Sequence, residues 1–436
     1  MNEKVSTQSY RGARDFYPQD MRIRNYIFNT WKKVCKSYAF EEYDFPIVEP
    51  FEVFAAKSGE EVVNEQMFNF EDKGGRKLAL RPELTPGTVR MLAQNYYELT
   101  KPVKWFMIGN NWRFEKPQRG RGREFYQLEV NIFGIPGPEA DFEIIQIITE
   151  IMSTFGATNE MYEILLSDRR LIAMLLKDLL QLSEDPAANT RRLMDKYKKM
   201  DRYEFIEELQ TYGLTNKQAL TIEQFLNSDL EELKRIFPQQ MLEQNEGYRS
   251  LIKLFEMLKN NNLDKYCKFD PSIIRGFDYS DGVVYEVFDK DPKNKRSMFG
   301  GERFDKLIQI FGDFELEATG FAMGDVTLKD FLEAWNLMPE LKEEKYLVTL
   351  WPTQNTEEDQ KFRLASNNVA RSLRNQGKQV ETWLESDVNL GNQLKYANKK
   401  EFSFAVMIGP DELGQKQYTV KDLITGGQKT NSLEDL

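Results

Sequence analysis

Histidine is absent from this chain of 436 residues, and its absence excludes several kinds of chemistry. Ser-His-Asp and Cys-His hydrolases are excluded as such, because both need an imidazole base. Cysteine is scarce too, since Cys35 and Cys267 lie far apart and form no CxxC pair. We therefore expect no metal site built from histidine or cysteine, and a reduced, cytoplasmic setting. Any chemistry must use carboxylates, arginines, lysines or the substrate's own groups, as phosphoryl and nucleotidyl transfer do.

Long apolar runs are also missing. No stretch approaches the ~20 residues of a membrane span, and the opening MNEKVSTQSYRGARDFYP lacks the apolar core of a signal peptide. Hydrophobic residues make up 41% of the chain and charged residues 30%, a balance typical of soluble globular proteins. The length predicts two or three domains and the composition no membrane partner.

Positive charge is in the minority, with 59 Lys and Arg against 70 Asp and Glu and a net charge of −11. This balance argues against indiscriminate nucleic-acid binding, but it allows a local basic site. KPQRGRGR at 116–123 is such a site, with four Lys or Arg in eight residues. Strand patterns on both sides, VKWFMIGNNWRFE and REFYQLEVNIFG, predict a long antiparallel hairpin. Its loop could bind a polyphosphate through bidentate arginines; a solvated hairpin tip is the alternative.

Other charged residues stand next to turns or helix starts. Arg113 and Glu115 alternate along the first hairpin strand, so we expect both side chains on one side of the sheet. Arg81 and Glu83 have the same spacing in LRPELTPGTVR. There Glu83 is a candidate partner for a substrate ammonium, and a strand-end ion pair is the alternative. Arg275 directly precedes a glycine, where the backbone can approach a ligand closely.

Periodicity divides the chain into four predicted segments. Residues 1–167 begin with an amphipathic helix at 19–38, continue with FEEYDFPIVEP as one extended strand, and contain the basic hairpin. Residues 168–262 are rich in Leu, Lys and Glu and predict a helical insertion. Residues 263–335 return to strands, and we expect SMFGGERFDKLIQIFG and EATGFAMGDVTLKDFLEAW to be glycine turns that run into helices. Residues 343–436 alternate strand and helix, which predicts a small α/β domain.

Taken together and in order, these segments resemble the class II aminoacyl-tRNA synthetases, and specifically the histidyl-tRNA synthetase family. FPIVEPFEVFAAKSGEE is similar to motif 1 and WRFEKPQRGRGREFYQ to motif 2, while RGFDYSDGVVYE and GGERFDKL are similar to segments found chiefly in the histidine enzymes. The resemblance spans nearly the whole chain. It implies an α+β fold: an antiparallel sheet flanked by helices, interrupted by the helical insertion and followed by an anticodon-binding-like α/β domain.

The resemblance implies activation of histidine with ATP and Mg²⁺, followed by its transfer to the 3′ end of histidine tRNA. The basic loop would cover ATP and the acceptor end of the tRNA, and Pro46 of motif 1 would lie at a homodimer interface. The amino-acid carboxylate is the nucleophile and needs no general base, while Mg²⁺ would neutralise the β- and γ-phosphate oxygens.

Residue roles implied by the resemblance fall into three groups. The catalytic residues would be Arg113 and Arg275. The ATP-binding residues would be Arg113 at the α-phosphate, Glu115 at the adenine amino group, Arg121 at the far phosphates, and Arg123. The amino-acid-binding residues would be Glu83 and Gln127 at the α-ammonium, with Thr85, Asn131, Tyr279 and Ser280.

Three positions depart from the family's pattern. Asn131 stands at a place that is usually acidic and Ser280 at one that is usually tyrosine, both beside the imidazole of bound histidine. Thr327 stands where an arginine usually stacks on adenine. An amide gives up the charge assistance of a carboxylate, so Asn131→Asp is expected to strengthen histidine binding.

These departures leave two alternatives open. One is a paralogue with altered amino-acid or acceptor specificity, and the other is a non-catalytic regulatory relative. Decayed relatives tend to lose the ATP arginines, and Arg113 and Arg275 are both present. We therefore favour a working histidine enzyme.

Overall fold

The structure is a computed structural model that describes residues 5–56, 62–118, 120–274, 281–294 and 296–433. It divides into two units, Met1–Pro339 and Glu340–Leu436.

Strands and α-helices alternate irregularly along the described residues. The strands are β1 Glu41–Glu42, β2 Val48–Pro50, β3 Asn69–Glu71, β4 Lys77–Leu80, β5 Val103–Trp112, β6 Glu124–Phe133, β7 Tyr162–Asp168, β8 Cys267–Phe269, β9 Val283–Asp289, β10 Ser297–Arg303, β11 Ala318–Gly324, β12 Lys345–Val348, β13 Gln379–Thr382, β14 Phe404–Met407, β15 Gln417–Asp422 and β16 Gln428–Ser432. The helices are α1 Pro18–Ser37, α2 Phe51–Ala55, α3 Thr85–Gln94, α4 Pro138–Thr154, α5 Arg169–Ala173, α6 Glu184–Met194, α7 Arg202–Thr211, α8 Asn216–Leu226, α9 Leu233–Ile236, α10 Gln239–Gln244, α11 Glu246–Asn260, α12 Asp325–Ala334, α13 Thr356–Asn375, α14 Leu390–Lys399 and α15 Pro410–Gly414. Among the described helices, none combines the length and the apolar character that a bilayer-spanning segment needs.

The larger unit is built on an eight-stranded sheet in the order β1-β5-β6-β11-β10-β9-β7-β8. Every pairing from β5 to β7 is antiparallel, and the two outer pairings, β1 with β5 and β7 with β8, are parallel. The predicted α+β fold on an antiparallel sheet is therefore confirmed, with a short parallel strand added at each edge.

Helices α1, α4 and α12 supply much of the core beside this sheet. The predicted apolar stripe of α1 is buried at Ile27, Trp31 and Val34, and these side chains share one cluster with isoleucines of α4 and with Phe331 of α12. Because successive side chains of a strand point to opposite faces, each central strand gives this core only alternate residues. The other alternate residues of β6 are those that build the candidate site.

Two glycine segments differ from the sequence prediction. SMFGGER and ATGFAMG are the strands β10 and β11, so the prediction of glycine turns there was wrong. Their glycines sit where backbones and side chains approach too closely for a Cβ atom. A Cβ on Gly301 would lie 2.2 Å from the carbonyl oxygen of Gly320, and one on Gly320 would lie 2.0 Å from Asn131 Oδ1.

The segment FEEYDFPIVEP is also not one strand. It forms β1 in the large sheet and β2 in a separate three-stranded sheet with β4 and β3. Pro46 lies between them, where its missing N–H costs no ladder hydrogen bond.

The chain between β7 and β8 is largely helical and contains α5 to α11. Most of its apolar side chains form a cluster of their own, which includes Leu175, Phe205 and Phe225. Helix α11 contributes to two clusters: Leu251 packs in this one, whereas Leu254 and Leu258 pack in the core beside the large sheet.

The smaller unit contains a five-stranded sheet in the order β13-β12-β14-β15-β16. The first three strands are parallel, and their connections run through α13 and α14. The last two strands are antiparallel. This arrangement is the α/β alternation expected for the end of the chain.

Candidate active site

Strand β6 separates the core of the larger unit from a polar face. One set of alternate side chains is buried in the core: Leu128, Val130 and Ile132. The intervening side chains, Gln127, Glu129 and Asn131, therefore face the opposite side of the sheet. Two of these residues had been predicted to bind the amino acid.

A cavity of about 350 Å³ lies on this polar face. Thr85, Glu129 and Asn131 line it, together with Glu286, Glu302, Gly300, Gly301 and Gly320. The cavity thus brings predicted Thr85 and Asn131 together. Three carboxylates and no lysine or arginine are among its described lining residues, so the cavity favours a ligand that is cationic or rich in hydrogen-bond donors.

Glu129 is the most deeply buried carboxylate of the cavity, with 1% of its surface exposed. Thr85 Oγ1 donates to Glu129 Oε1 at 2.6 Å. Tyr43 Oη donates to Oε2 at 3.0 Å and is also hydrogen-bonded to Thr88 Oγ1, which lies 3.0 Å from Oε2. Burial raises the pKa of Glu129, and the hydroxyl donors offset part of that rise. They also bind the first two turns of α3 to β6.

Asn131 is equally buried beside Glu129 on the same face of β6. Its Nδ2 atom has no hydrogen-bond partner of normal geometry within the described part of the chain. Even so, the Asn131 side chain lies close enough to the Glu129 carboxyl to lower its pKa. A buried amide donor without a partner is costly, and a bound ligand could satisfy it.

Arg81 and Glu83 precede α3, and the structure separates their roles. Arg81 is a structural residue: Nε donates to the carbonyl oxygen of Asn110 at 2.8 Å, and Nη1 donates to that of Phe45 at 2.8 Å. Burial lowers the pKa of Arg81, and Asp44, 3.3 Å from Nη1, opposes that effect. Glu83 is buried, with 3% of its surface exposed. It directly follows Pro82, whose carbonyl oxygen accepts a hydrogen bond from Arg113.

The predicted hairpin is present. Strands β5 and β6 pair along their whole length, from Val103 opposite Phe133 to Trp112 opposite Glu124. Strand β5 ends at Trp112, so the expected alternation of Arg113 and Glu115 along one strand was wrong. The reason is a tight turn, because the N–H of Glu115 donates to the carbonyl oxygen of Arg113 at 2.8 Å. Arg113 Nε donates to Pro82 O at 2.8 Å, which places this arginine beside the segment that contains Glu83.

Glu115 and Arg121 face each other across the loop as an ion pair at 3.2 Å. Arg121 is half exposed, so the pair is weakly held and can be exchanged for a ligand's charges. Arg123 is engaged at the base of the loop. Its guanidinium lies 4.0 Å from the centroid of Phe114, and Nη1 donates to Tyr10 Oη at 2.5 Å.

The N-terminal segment holds the hairpin base in place. The carbonyl oxygen of Gly12 accepts hydrogen bonds from the N–H groups of Arg123 at 2.7 Å and Glu124 at 3.2 Å. Gly12 has φ +92°, a conformation that favours glycine. Farther along, Arg14 forms an ion pair at 2.9 Å with Asp325, whose other carboxylate oxygen accepts from the N–H of Tyr126.

Gln127 joins the two strands of the hairpin, because its Oε1 accepts a hydrogen bond from Asn111 Nδ2 at 2.7 Å. Three predicted site residues, Arg275, Tyr279 and Ser280, lie outside the described residues. Thr327, which stands where the family usually has an arginine, donates to the carbonyl oxygen of Met298 at 2.8 Å.

Sequence reasoning missed Glu129. The signal was available, since Gln127, Glu129 and Asn131 repeat the two-residue spacing that singled out Arg113 and Glu115. Spacing alone does not distinguish Glu129, because a carboxylate in an alternating strand ordinarily faces solvent. Only the position of α3 over β6 makes this one buried.

Comparisons with known proteins identify the family of this chain. The family model described as histidyl-tRNA synthetase matches residues 12–327, and that of an anticodon binding domain matches residues 348–436. A histidine–tRNA ligase of Leptospira biflexa is 39% identical over 99% of this chain and 97% of its own length. The chloroplastic/mitochondrial histidine–tRNA ligase of Arabidopsis thaliana is 34% identical over 100% of this chain and 87% of its own.

A solved structure shows the same fold. The histidyl-tRNA synthetase from Nostoc sp. PCC 7120 superimposes with a TM-score of 0.81 over 99% of this chain and 98% of that one, at 23% identity. The family match covers most of the larger unit, and the Leptospira and Arabidopsis relatives align along nearly the whole chain at more than 30% identity. This chain therefore belongs to the histidyl-tRNA synthetase family.

Proposed function

We infer that this chain is a histidine–tRNA ligase that activates histidine with ATP and transfers it to the 3′ end of histidine tRNA. The observation that carries the proposal is an acidic cavity on β6, reached by α3, next to a hairpin that holds Arg113 against the segment preceding α3. A donor-rich amino acid fits the cavity, and a polyphosphate fits the arginines.

The first step joins the histidine carboxylate to the α-phosphorus of ATP. A carboxylate oxygen forms the new P–O bond, the bond between the α-phosphorus and the bridging oxygen breaks, and pyrophosphate leaves with both electrons of that bond. Arg113 would stabilise charge at the α-phosphate, with Arg275 opposite. In the second step the 3′ hydroxyl of the tRNA attacks the acyl carbonyl, the bond between the acyl carbon and the phosphate oxygen breaks, and AMP leaves with the hydroxyl proton.

The remaining predicted residues divide between the two substrates. Glu115 would accept from the adenine amino group and Arg121 would reach the far phosphates, while Arg123 would also belong to the ATP site. The Glu115–Arg121 ion pair would have to open for this, and the half-exposed Arg121 side chain can move away into solvent.

The amino acid would lie along the polar face of β6. Glu83 and Gln127 would bind its α-ammonium, and Thr85, Asn131, Tyr279 and Ser280 would surround its ring. The position of Glu83 supports this assignment, because it directly follows Pro82, whose carbonyl oxygen accepts a hydrogen bond from Arg113.

Mg²⁺ is the cofactor that this reaction implies. The described residues contain no group of three or more carboxylate, histidine or cysteine ligands at metal spacing. Mg²⁺ usually takes one or two carboxylates and completes its shell with phosphate oxygens and water. The residues present fit a cation that enters with ATP, where it would neutralise charge on the departing pyrophosphate.

We further propose that the enzyme is a cytoplasmic homodimer and that the smaller unit binds the anticodon end of the tRNA. The match of residues 348–436 to an anticodon binding domain supports the tRNA assignment. It also argues against a regulatory relative without that domain. The dimer proposal rests on motif 1, which contains β2 and α2.

ATP–pyrophosphate exchange with each of the twenty amino acids tests the proposed function. We expect exchange with histidine and background rates with the other nineteen. Exchange with a different amino acid would identify a paralogue with altered specificity. Background exchange rates with all twenty amino acids, from folded protein that also fails to bind ATP, would identify a non-catalytic relative.

A further inference from the structure

Glu129 is a buried charge in the cavity to which the proposed reaction assigns no role. It is almost fully buried and lines the cavity together with Thr85 and Asn131. Burying a carboxylate is costly unless hydrogen bonds compensate for the lost water. Because the Glu129 carboxylate lines the cavity despite this cost, it is a candidate for recognition of the ligand.

The hydrogen bonds to Glu129 leave an acceptor position open on the oxygen nearer the cavity. A carboxylate can accept about four hydrogen bonds, two on each oxygen. Tyr43 and Thr88 approach Oε2 but are also hydrogen-bonded to each other, so one of the two donates to Oε2, whereas Thr85 alone donates to Oε1. Thr85 is also the only one of the three that lines the cavity in the described part of the chain. Oε1 therefore keeps an open position on the cavity side.

Donors on both oxygens favour the charged form of Glu129. A protonated carboxylic acid has an O–H of its own to place and fewer free lone pairs, so it accommodates hydrogen bonds donated to both oxygens poorly. Hydrogen bonds to the charged form stabilise it. Glu129 is thus arranged as an anionic acceptor held rigidly from one side.

Asn131 provides the complementary group. Its Nδ2 is buried without a partner of normal geometry in the described structure, two residues from Glu129 on the same face of β6. The pair therefore offers one acceptor and one donor to the cavity. A neutral imidazole has the matching set, since one ring nitrogen carries a proton and the other accepts.

We propose that Glu129 and Asn131 together recognise the histidine ring, with Glu129 accepting from the ring N–H and Asn131 Nδ2 donating to the other ring nitrogen. This inference rests on the proposed function. In this proposal the carboxylate that recognises the ring is Glu129, whereas the family pattern has an acidic residue at position 131. It also reverses the effect expected for Asn131→Asp, because a second carboxylate would repel Glu129 and leave the second ring nitrogen without a donor.

The test compares Glu129→Gln with wild type and with Glu49→Gln as a matched control. Glu49 is also a buried strand glutamate bound to α3, through Arg90 at 2.7 Å, but it does not line the cavity. Two constants are measured by pyrophosphate exchange: the KM for histidine and the inhibition constant of free imidazole, which carries the ring without the α-ammonium. Thermal unfolding monitors the folded state of each variant.

Glu129→Gln should raise both constants by about 5- to 30-fold, because a charge-assisted hydrogen bond becomes a neutral one. The KM for ATP should change by less than about threefold. Glu49→Gln should leave both constants near wild type even if it lowers Tm. Asn131→Asp should also raise the KM for histidine, and this second variant tests the proposal if Glu129→Gln does not fold.

Three results would overturn the proposal. The first is a folded Glu129→Gln variant with both constants unchanged, which would make Glu129 purely structural. The second is a raised KM for histidine with an unchanged imidazole constant, which would assign Glu129 to the α-ammonium. The third is an Asn131→Asp variant that binds histidine more tightly. Wild type that exchanges with another amino acid but not with histidine would instead refute the proposed function, and this inference with it.

Discussion

Arg303 connects several elements through one buried guanidinium, which is 3% exposed. It donates to Asp141 at 2.9 and 3.2 Å, to Asp305 at 3.2 Å and to the carbonyl oxygen of Gly137 at 2.9 Å. These bonds join the end of β10 to the start of α4. Removing one member of such a buried pair costs about 3–5 kcal/mol, because the other charge loses its partner. The wall that β10 gives the cavity depends on this cluster.

Asp305 should make the cluster sensitive to pH. Burial is the main reason that its pKa is raised from 3.8 to about 6. Between these values the folded state binds more protons than the unfolded state, so the contribution of Asp305 to stability falls as pH rises, and it is constant above the window. Asp305→Asn removes this titration while keeping an acceptor for the N–H of Ala318.

Urea unfolding at a series of pH values checks this prediction. The free energy of unfolding of the variant minus that of wild type should become more positive from about pH 4 to about pH 6 and then stay level. A difference that is the same at both ends of the window would contradict it.

Strands β10 and β11 leave space for the cavity because Gly300 and Gly320 put no side chain on the polar face of the sheet. Gly320 is the tightest of these positions, since a Cβ there would meet both Asn131 Oδ1 at 2.0 Å and the carbonyl oxygen of Val130 at 2.4 Å. Gly324 lies in the same strand, but a Cβ there would meet only Thr327 Oγ1, at 3.3 Å. The two glycines form a matched pair for substitution.

Gly320→Ala should lower the free energy of unfolding by about 1–3 kcal/mol, as overpacking does, and should weaken histidine binding by displacing Asn131. Gly324→Ala should change both properties little. Denaturant unfolding and histidine KM measure the two effects. Equal behaviour of the two variants would show that the close approach at Gly320 has no energetic consequence.

The sequence predicted best the elements whose apolar spacing is long and regular, such as α1, β5 and β6. It failed at β10 and β11 because a glycine in a strand has the same signature as a glycine in a turn until the neighbouring backbone is known. The candidate site divides in the same way. Thr85 and Asn131 do share a cavity, but Glu129 could not be recognised before α3 was known to cover it.

The whole chain presents motif 1 as a candidate subunit interface. Strand β2 and helix α2 follow directly on Pro46, and β2 belongs to the small three-stranded sheet rather than to the large one. An obligate dimer of this kind usually buries more than ~2,000 Å². Both protomers would then depend on each other for the segment that leads into β4 and α3.

Light scattering after size-exclusion chromatography should give twice the chain mass of 51.2 kDa at micromolar concentration. Dilution should not change that mass across the range in which activity is measured, because obligate homodimers often have no stable folded monomer. A monodisperse monomer would rule out the dimer.

Helix α11 limits which residues of the helical insertion can be deleted, whether in evolution or by mutagenesis. Its Leu251 packs among the insertion's own helices, while Leu254 and Leu258 lie over the catalytic sheet. It also provides the crossover that two parallel neighbours, β7 and β8, require. Deleting the whole insertion would therefore also remove side chains that cover the large sheet. A descendant that discards α6 to α10 can keep a covered sheet only if the deletion stops before Glu246, so the modular boundary lies inside the helical segment and not at its end.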